Sequence, residues 1–458
     1  MNYKDFILSK AIVTEARGID IPAANLNPML FDFQRDIVRW ALARGKAAIF
    51  ADCGDGKTAM QLEWAEQIRR STGGKVLIIA PLAVSAQTQR EGDKFGIKVK
   101  ICSEQADVTA DMLNITNYEK LDKFTASEFV GVVLDESSII KSFTGKIRNQ
   151  IIAAFAQTPY KLACTATPAP NDYMELGNHS EFLGVMTRAE MLAMYFVHDG
   201  GQTSKWRLKG HAAGLFWKWL ASWSVVVGDP KELGYDIGGF DLPELRVHQI
   251  IADGETTVSD ALTLTERREA RRESLELRCR AAAEFVNNSD EKWLCWCDLN
   301  DEADTLNRMI DRSKNVQGSD SPEYKSETML DFAAGKLKCL ITKPKIAGYG
   351  MNWQNCHNMI FVGLSDSFEA YYQAVRRCWR FGQKSDVDVY IIISAKEGAV
   401  KENIERKEAE NAAMKRNLIE LTKDITKREL KATCRISAEY KPAIKMCLPD
   451  WEEFKNYA

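Results

Sequence analysis

The chain has 458 residues, 45% of them hydrophobic and 27% charged, with a formal net charge of −3. That length predicts two or three domains, each with its own core. The weak net charge is atypical of a passive nucleic-acid-binding protein, although a motor can use local basic patches instead. No apolar stretch reaches the roughly 20 residues of a membrane helix, and the charged N-terminus MNYKDFILSK lacks the apolar core of a secretory signal.

The cysteines and histidines indicate a reducing environment without a metal centre. Eleven cysteines, an odd number, show no disulfide-framework spacing, and the chain has only five histidines. Cys295 and Cys297 come closest to a metal-ligand pair, but they alternate along a predicted strand, where a place in the core is the simpler interpretation. We therefore expect a cytoplasmic protein.

Short β-branched runs alternate with helical patterns, which is typical of parallel α/β sheets. The first half contains five predicted strands, at 47–50, 75–80, 112–116, 129–134 and 161–166. Four more follow at 292–297, 339–343, 358–364 and 388–394. Two such series predict an α/β fold with two doubly wound parallel-sheet lobes.

Five segments are predicted in chain order. They are an N-terminal segment (1–29), a first lobe (30–185), an aromatic-rich helical insert (186–250), a second lobe (251–398) and a charged C-terminal helical brace (399–458). The insert carries Trp206, Trp217, Trp219 and Trp223. Packing inside the insert is the favoured interpretation of these tryptophans, and a base-stacking platform is the alternative. The brace is expected to pack across a lobe.

A helical pattern at 30–42 carries Gln34 shortly before a glycine-rich turn. Taken alone, Gln34 is an exposed helix residue. Its side-chain amide can instead read the edge of an adenine base through paired hydrogen bonds, because it has both donors and an acceptor. The position just ahead of the turn favours this second interpretation.

The glycine-rich turn ADCGDGKT (51–58) lies between a predicted strand and a predicted helix. Such a junction directs backbone N–H groups and the positive end of the helix dipole at a phosphate. Gly54 and Gly56 would form the cradle, Lys57 would reach the β- and γ-phosphates of ATP, and the Thr58 hydroxyl would bind Mg²⁺. Ala51 stands at the first glycine of the general pattern, so the strand–loop–helix context carries the assignment.

The strand at 129–134 ends in Asp135-Glu136. Ligands of this fold class bind at the carboxyl edge of the parallel sheet, where these carboxylates would lie. Asp135 can hold Mg²⁺ through water, and Glu136 can orient and deprotonate the attacking water. The alternative is a solvated acidic strand end, which Lys57 and Thr58 upstream make less attractive.

The second half supplies QAVRRCWRFGQ (373–383). Arg377 and Arg380 are three positions apart and would share one face of a helix. Aimed at the first lobe, they could stabilise charge on the transferring phosphoryl group, as arginine fingers do. A basic surface helix is the alternative interpretation of this segment alone.

Together these motifs resemble the Swi/Snf-type branch of superfamily-two helicases, which are double-stranded DNA translocases with two RecA-like lobes. The segments 75–84, 115–121, 162–172, 292–306 and 345–353 resemble motifs Ia, Ib, III, IV and V of that family, and 373–383 resembles motif VI with its arginine–x–glycine–glutamine ending. The resemblance covers about 30–185 and 285–395, and the compact layout is most similar to small phage or prophage members.

The resemblance also implies roles for individual residues. Pro81, Asn117 and Lys345 would contact the nucleic-acid backbone, and Gly350 would belong to the nucleotide site. Residues that couple hydrolysis to track binding would be Thr165, Ala166, Thr167 and Gln373. The chain departs from the family pattern at Asp55, Ser137-Ser138 and Lys343-Pro344, where the family usually has leucine, alanine–histidine and serine–threonine.

The expected function is ATP- and Mg²⁺-dependent movement on double-stranded DNA, with single-stranded DNA as the second choice of track. A strand-separating DNA or RNA helicase is the first alternative. An ATP-gated DNA clamp that recruits another protein is the second. The presence of Lys57, Asp135, Glu136 and Arg380 argues against a clamp without hydrolysis. A membrane partner is not expected, and the sequence does not identify a partner nuclease or a replication or recombination protein.

Overall fold

Two parallel β-sheets organise the chain, as the two series of β-branched runs predict. The structure, a computed structural model, describes residues 17–52, 54–170, 172–199, 202–238, 242–252, 272–347, 351–365, 367–394 and 398–433. Gly350, most of the N-terminal segment and the end of the predicted brace lie outside these residues.

The strands are β1 Lys46–Ala51, β2 Lys75–Ala80, β3 Val99–Ile101, β4 Leu113–Asn117, β5 Phe129–Asp135, β6 Tyr160–Thr165, β7 Phe196–Asp199, β8 Gln202–Leu208, β9 Ser224–Val227, β10 Leu245–Ile251, β11 Trp293–Cys297, β12 Ser313–Asn315, β13 Cys339–Thr342, β14 Asn358–Val362 and β15 Val387–Ile393. The α-helices are α1 Asp32–Arg44, α2 Lys57–Thr72, α3 Ser85–Lys94, α4 Lys146–Ala154, α5 Leu176–Leu183, α6 Arg188–Tyr195, α7 Ala213–Ala221, α8 Leu275–Asn287, α9 Asn300–Met309, α10 Pro322–Ala333, α11 Pro344–Ala347, α12 Phe368–Val375 and α13 Gly398–Thr433.

The first sheet has the strand order β3-β4-β2-β5-β6-β1-β9, and the second has β10-β15-β14-β11-β13-β12. All neighbouring strands in both sheets are parallel. Each sheet is covered on both faces. In β1, for example, Ala47 and Ile49 belong to one core cluster while Ala48 and Phe50 belong to another, because successive strand residues point to opposite faces. The predicted α/β fold with two lobes is confirmed.

The segment predicted as a helical insert is more varied than expected. It contains α6 and α7, but also the antiparallel hairpin β7–β8. Its strand β9 adds an edge to the first sheet beside β1, and β10 pairs with β15 at the edge of the second sheet. Trp217, Trp219 and Trp223 are at most 6% exposed, and Trp206 is half-buried against the same cluster. These tryptophans are packed, as the favoured interpretation has it, but in the core of the first lobe rather than inside a separate insert.

The C-terminal helix α13 returns to the first lobe, as the brace prediction requires. It contacts α1, α7 and β9. Leu418 and Ile419 join one core cluster of the first lobe, and Leu430 joins the other. Arg44 of α1 forms an ion pair with Glu429 of the helix. The helix is therefore fixed to the first lobe although it follows the second along the chain.

Within the described ranges, no helix combines the length and apolarity needed to cross a membrane. The cysteines that the structure describes are free and buried. Cys295 and Cys297 both point into the core from β11, and the Sγ atom of Cys295 lies 3.6 Å from that of Cys339.

The second lobe contains an ion pair without solvent contact. Arg278 of α8 lies 2.9 Å from Glu302 of α9, and both side chains are 0% exposed. The other Glu302 carboxylate oxygen accepts the backbone N–H groups of Asp298 and Leu299 at 2.9 Å each. This pair joins the two helices and fixes the turn that follows β11.

We expect Glu302→Ala to lower the free energy of unfolding of the second lobe by about 3–5 kcal/mol, because Arg278 would remain as an uncompensated buried charge. Urea denaturation measures the change, and hydrogen exchange of second-lobe peptides assigns the transition. The control is Arg280→Ala on the same helix, which removes an exposed pair with Glu276 and should change stability by about 0.5 kcal/mol or less. Equal losses in the two variants would contradict the prediction.

Candidate functional site

The loops that follow β1, β5 and β6 meet at one edge of the first sheet. These three strands are adjacent, in the order β5-β6-β1, and their carboxyl ends point the same way because all the pairs are parallel. The glycine-rich loop, the pair Asp135-Glu136 and the segment from Thr165 to Thr167 are thereby brought together. Sequence reasoning assigned each of these to the site separately.

The glycine-rich loop wraps around the start of α2. Gly56 precedes the helix with φ of 80°, a left-handed conformation that favours glycine. Lys57 begins the helix, and its Nζ donates to the carbonyls of Ala51 at 2.9 Å and Asp52 at 3.0 Å. Thr58 follows in the first turn, where the N–H groups of the helix have no partner within it. This is the arrangement that binds a phosphate.

Gln34 lies in the first turn of α1 and links that helix to the loop. Its Oε1 accepts the N–H of Phe31 at 3.0 Å, and its Nε2 donates to the carbonyl of Asp55 at 2.9 Å. The residue is 5% exposed, so the alternative interpretation of Gln34 as an exposed helix residue is wrong. Each end of the amide keeps one further hydrogen-bonding position, and recognition of adenine stays a prediction.

The carboxylates Asp135 and Glu136 occupy the end of β5. Burial raises the pKa of Asp135, while the neighbouring Gln61 side chain and the Lys57 and Arg377 charges act in the opposite direction. Glu136 has φ of 55°, an uncommon value for a residue with a side chain. Such local strain is concentrated at functional positions.

The Glu136 carboxylate is held by hydroxyl groups. Its Oε1 accepts from Thr165 Oγ1 at 2.7 Å and from Ser138 Oγ at 3.1 Å. Burial raises the pKa of Glu136, with the Lys57 charge opposing. A carboxylate with a raised pKa and a fixed orientation is suited to accept a proton from water. Thr167 N–H donates to Thr165 Oγ1 at 3.1 Å, so the loop after β6 is tied to the same carboxylate.

The arginines of the second lobe do not share a helical face, and that part of the sequence interpretation is wrong. The helix α12 ends at Val375, so both residues lie in the turns that follow. Arg377 is buried and donates to the carbonyls of Gln373 at 3.1 Å and Met351 at 2.9 Å. Arg380 Nη1 contacts Asn352 Oδ1. The Arg377 charge nevertheless acts on Asp135 across the cleft.

Gln373 is 1% exposed, and its Oε1 accepts from Arg377 Nη2 at 3.2 Å. Ala166 and Thr167 are also buried. Their role in coupling hydrolysis to a track stays a prediction.

The expected track residues lie on both lobes. Pro81 follows β2 and Asn117 ends β4, at the same edge of the first sheet, because β2 and β4 are parallel neighbours. Asn117 Oδ1 accepts the N–H of Lys120 at 3.1 Å and caps a short helical turn. Lys345 is exposed on α11 of the second lobe.

The two lobes contact each other at this site. Phe381 of the second lobe packs on Gly54, whose φ is 110° and where a Cβ would lie 3.0 Å from the Phe381 nitrogen. The Phe31 and Phe381 rings meet edge to face at 6.3 Å. Lys141, just after β5, forms an ion pair with Glu369 of α12. These contacts bring the second lobe onto the glycine-rich loop.

A cavity of about 440 Å³ lies between the lobes, within the usual size range of small-molecule sites. The glycine-rich loop contributes Asp52, Gly54 and Asp55 to its wall. The second lobe contributes Tyr372, Arg376, Trp379 and Phe381, and the helix α13 contributes Glu408, Ala412 and Lys415.

Sequence reasoning missed the most connected residue of this wall, Asp52. Its carboxylate contacts Arg376 at 2.6 Å, Lys415 at 2.5 Å and the Tyr372 hydroxyl at 2.6 Å. Burial acts to raise the pKa of Asp52, but Arg376 and Lys415 hold it well below its usual range. The second arginine beside Arg377 was the one hint in the sequence that a further cation belongs to this site. Lys415 gave none, because it is 363 positions from Asp52.

The oxygen donors at the loop fit a magnesium ion. Thr58 supplies a hydroxyl and Asp135 a buried carboxylate, and Mg²⁺ in phosphoryl-transfer sites is typically held by one or two protein oxygens together with phosphate and water. Among the residues that the structure describes, no cluster of three or more His, Cys, Asp or Glu side chains could hold a metal. With Thr58 and Asp135 as protein ligands, the remaining positions around the ion would be left to phosphate and water.

Comparison with known proteins locates a helicase-type segment in the second lobe. Residues 277–382 match the family described as helicase conserved C-terminal domain. A stretch of 83 residues is 32% identical to the bifunctional helicase and thymine dioxygenase JBP2 of Leishmania braziliensis. That stretch spans 18% of this chain and 8% of the relative.

A search of solved structures finds the Sulfolobus solfataricus SWI2/SNF2 ATPase core in complex with dsDNA. The match is 16% identical in sequence and covers 94% of this chain and all of the other, with a TM-score of 0.42.

The two glycines that flank α2 provide a test of the loop geometry. A Cβ on Gly56 would lie 2.2 Å from Gln34 Nε2, whereas a Cβ on Gly73 at the other end would meet nothing within 4 Å. Both have positive φ, so each alanine variant should lose about 1–2 kcal/mol of stability from backbone strain. We expect only Gly56→Ala to weaken ATP binding, by displacing Gln34 and the loop. Thermal melting and nucleotide titration would measure both effects, and normal ATP binding by Gly56→Ala would contradict this description.

Proposed function

We propose that this chain is a nucleic-acid-dependent ATPase of the superfamily-two type that uses ATP hydrolysis between its lobes to move along double-stranded DNA. One observation carries the proposal. The loop bearing Lys57, the strand end bearing Asp135 and Glu136, and the second-lobe turn bearing Arg377 converge. Arg376 of that turn contacts Asp52 of the loop at 2.6 Å, and Phe381 packs on Gly54.

Each group has a task that its surroundings support. The N–H groups at the start of α2 and Lys57 would bind the phosphates of ATP. Glu136, fixed by Thr165 and Ser138, would orient the attacking water and accept its proton. Arg380 would face the charge that develops on the transferred phosphoryl group. Bound Mg²⁺, held by Thr58 and Asp135, would neutralise phosphate charge.

The preference for double-stranded DNA rests on the motif resemblance, above all on 75–84 and on the arginine–x–glycine–glutamine ending of 373–383. The helicase-type match of 277–382 supports a nucleic-acid motor in general. Pro81, Asn117 and Lys345 would contact phosphate, which positions a protein on DNA without reading sequence.

The deciding experiment compares ATPase rates with double-stranded DNA, single-stranded DNA and RNA. We expect double-stranded DNA to give the largest stimulation, and Lys57→Ala to abolish hydrolysis because the phosphates lose their point charge. Greater stimulation by single-stranded DNA or RNA would favour the helicase alternative. Tight DNA binding with slow, unstimulated turnover would favour the clamp. Normal hydrolysis by Lys57→Ala would overturn the assignment of the site.

Arg380→Ala should lower the maximal DNA-stimulated rate while ATP still binds to the first lobe. Loss of one arginine finger can cost about 10³-fold in phosphoryl-transfer enzymes. DNA is titrated against ATPase rate in the wild type and the variant. An unchanged maximum with a higher half-stimulating DNA concentration would show that Arg380 only binds the nucleic-acid backbone.

A further inference from the structure

The Asp52 carboxylate joins three separate parts of the chain: its own loop, the second lobe and the helix α13. Asp52 belongs to the glycine-rich loop between β1 and α2, while Tyr372 and Arg376 come from the second lobe and Lys415 comes from α13. Exposure of the side chain is 14% for Asp52 and 5% for Arg376. A carboxylate removed from water in this way needs its partners, because the loss of one leaves a buried charge uncompensated.

The two cations that contact Asp52, Lys415 and Arg376, come from parts of the chain that are attached to the first lobe in different ways. The helix α13 is fixed to the first lobe through Leu418, Ile419 and the Arg44–Glu429 pair. The helix also contacts α12 of the second lobe, but these first-lobe anchors lead us to expect that Lys415 stays beside the loop when the second lobe moves. Tyr372 lies in α12 and Arg376 directly after it, so both reach Asp52 only when the second lobe lies against the first.

Asp52 is linked directly to the rest of the loop. Its N–H donates to the Asp55 carboxylate at 2.7 Å, and its carbonyl accepts from Lys57 Nζ at 3.0 Å. Asp55 in turn accepts from Gln34 through its carbonyl. A shift of the Asp52 backbone would thus move the groups that bind phosphate. Burial, and after it the Asp52 charge, raise the pKa of Asp55 to about 7.

We propose that Lys415 and Arg376 are positioning residues of the ATPase, acting through Asp52 to hold the glycine-rich loop in its phosphate-binding form. Lys415 sets the loop in every state of the cleft, and Arg376 adds its contact on closure. The C-terminal helix is then a working part of the nucleotide site rather than only a brace. This inference rests on the proposed ATPase function.

The two cations should produce different kinetic changes. We expect Lys415→Gln to raise the KM for ATP at every DNA concentration. Arg376→Gln should mainly lower the DNA-stimulated kcat, since its contact forms on closure. The expected size is about tenfold in each case, within the range for groups that share one network. The control is Arg406→Gln on α13, which removes an exposed pair with Glu410 and should leave both constants unchanged.

A double-mutant cycle tests whether the cations act through Asp52. If they do, Asp52→Asn should reproduce both defects, and adding Arg376→Gln or Lys415→Gln should cost little more. Fully additive losses would mean that the cations contact the nucleotide directly, and wild-type kinetics in all three variants would mean that the cluster only tethers the helix. Either result overturns the inference.

Two further measurements keep the test decisive. If Asp52→Asn does not fold, as thermal melting would show, the cycle is run between Lys415→Gln and Arg376→Gln, where strict additivity would overturn the proposal and coupling would support it. Failure of the proposed function is distinguishable, because the wild type itself would then show no ATPase that any nucleic acid stimulates.

Discussion

The parallel pairing of β5, β6 and β1 is the constraint on which the site depends. Because the three strands are neighbours and run the same way, the loops after them leave the sheet at one edge. Each strand end contributes one kind of group: a glycine-rich turn and a helix N-terminus after β1, carboxylates at the end of β5, and the Thr165 hydroxyl at the end of β6, which donates to Glu136. Antiparallel pairing anywhere in this set would send one of the three loops to the opposite edge.

That edge concentrates carboxylates, and their charge is balanced partly by Lys57 at the same edge and partly by groups from other parts of the chain. Asp52, Asp135 and Glu136 lie within or beside the same buried region, and burial acts to raise the pKa of all three. The first lobe supplies Lys57. The second lobe supplies Arg376 and Arg377, and α13 supplies Lys415. In a site with little water these charges interact more strongly than they would at the surface, so the position of the second lobe matters for the chemistry of the first.

The sequence predicts those site residues that short patterns mark, and it does not predict contacts between residues that are far apart in the chain. Lys57, Thr58, Asp135 and Glu136 lie shortly after the ends of strands, and short apolar, β-branched runs reveal those strands in the sequence. The helical face assigned to Arg377 and Arg380 was wrong because α12 stops at Val375, and nothing in the pattern 373–383 marks that end. The strand β9 is only four residues long and follows an aromatic helix, so its pairing with β1 carried no periodic signal. The contact of Lys415 with Asp52 depends on the path of a whole helix across the first lobe.

Ser137 and Ser138, which follow Glu136 directly, connect it to the rest of the first lobe through hydrogen bonds. Ser138 donates to Glu136, while Ser137 Oγ lies 3.0 Å from His179 Nε2 on α5. Burial lowers the pKa of His179 to about 4, so the ring is neutral at physiological pH and acts as a hydrogen-bond partner rather than a charge. The helix α5 follows the loop after β6. Thr165, the last residue of β6, also donates to Glu136. Two hydrogen-bonded paths, one through Thr165 and one through Ser137 and His179, therefore join the carboxylate and its flanking turn to the same stretch of chain. A displacement of that stretch would shift both Glu136 and the turn beside it. The connection carries no charge of its own, because the hydroxyl groups and His179 are neutral.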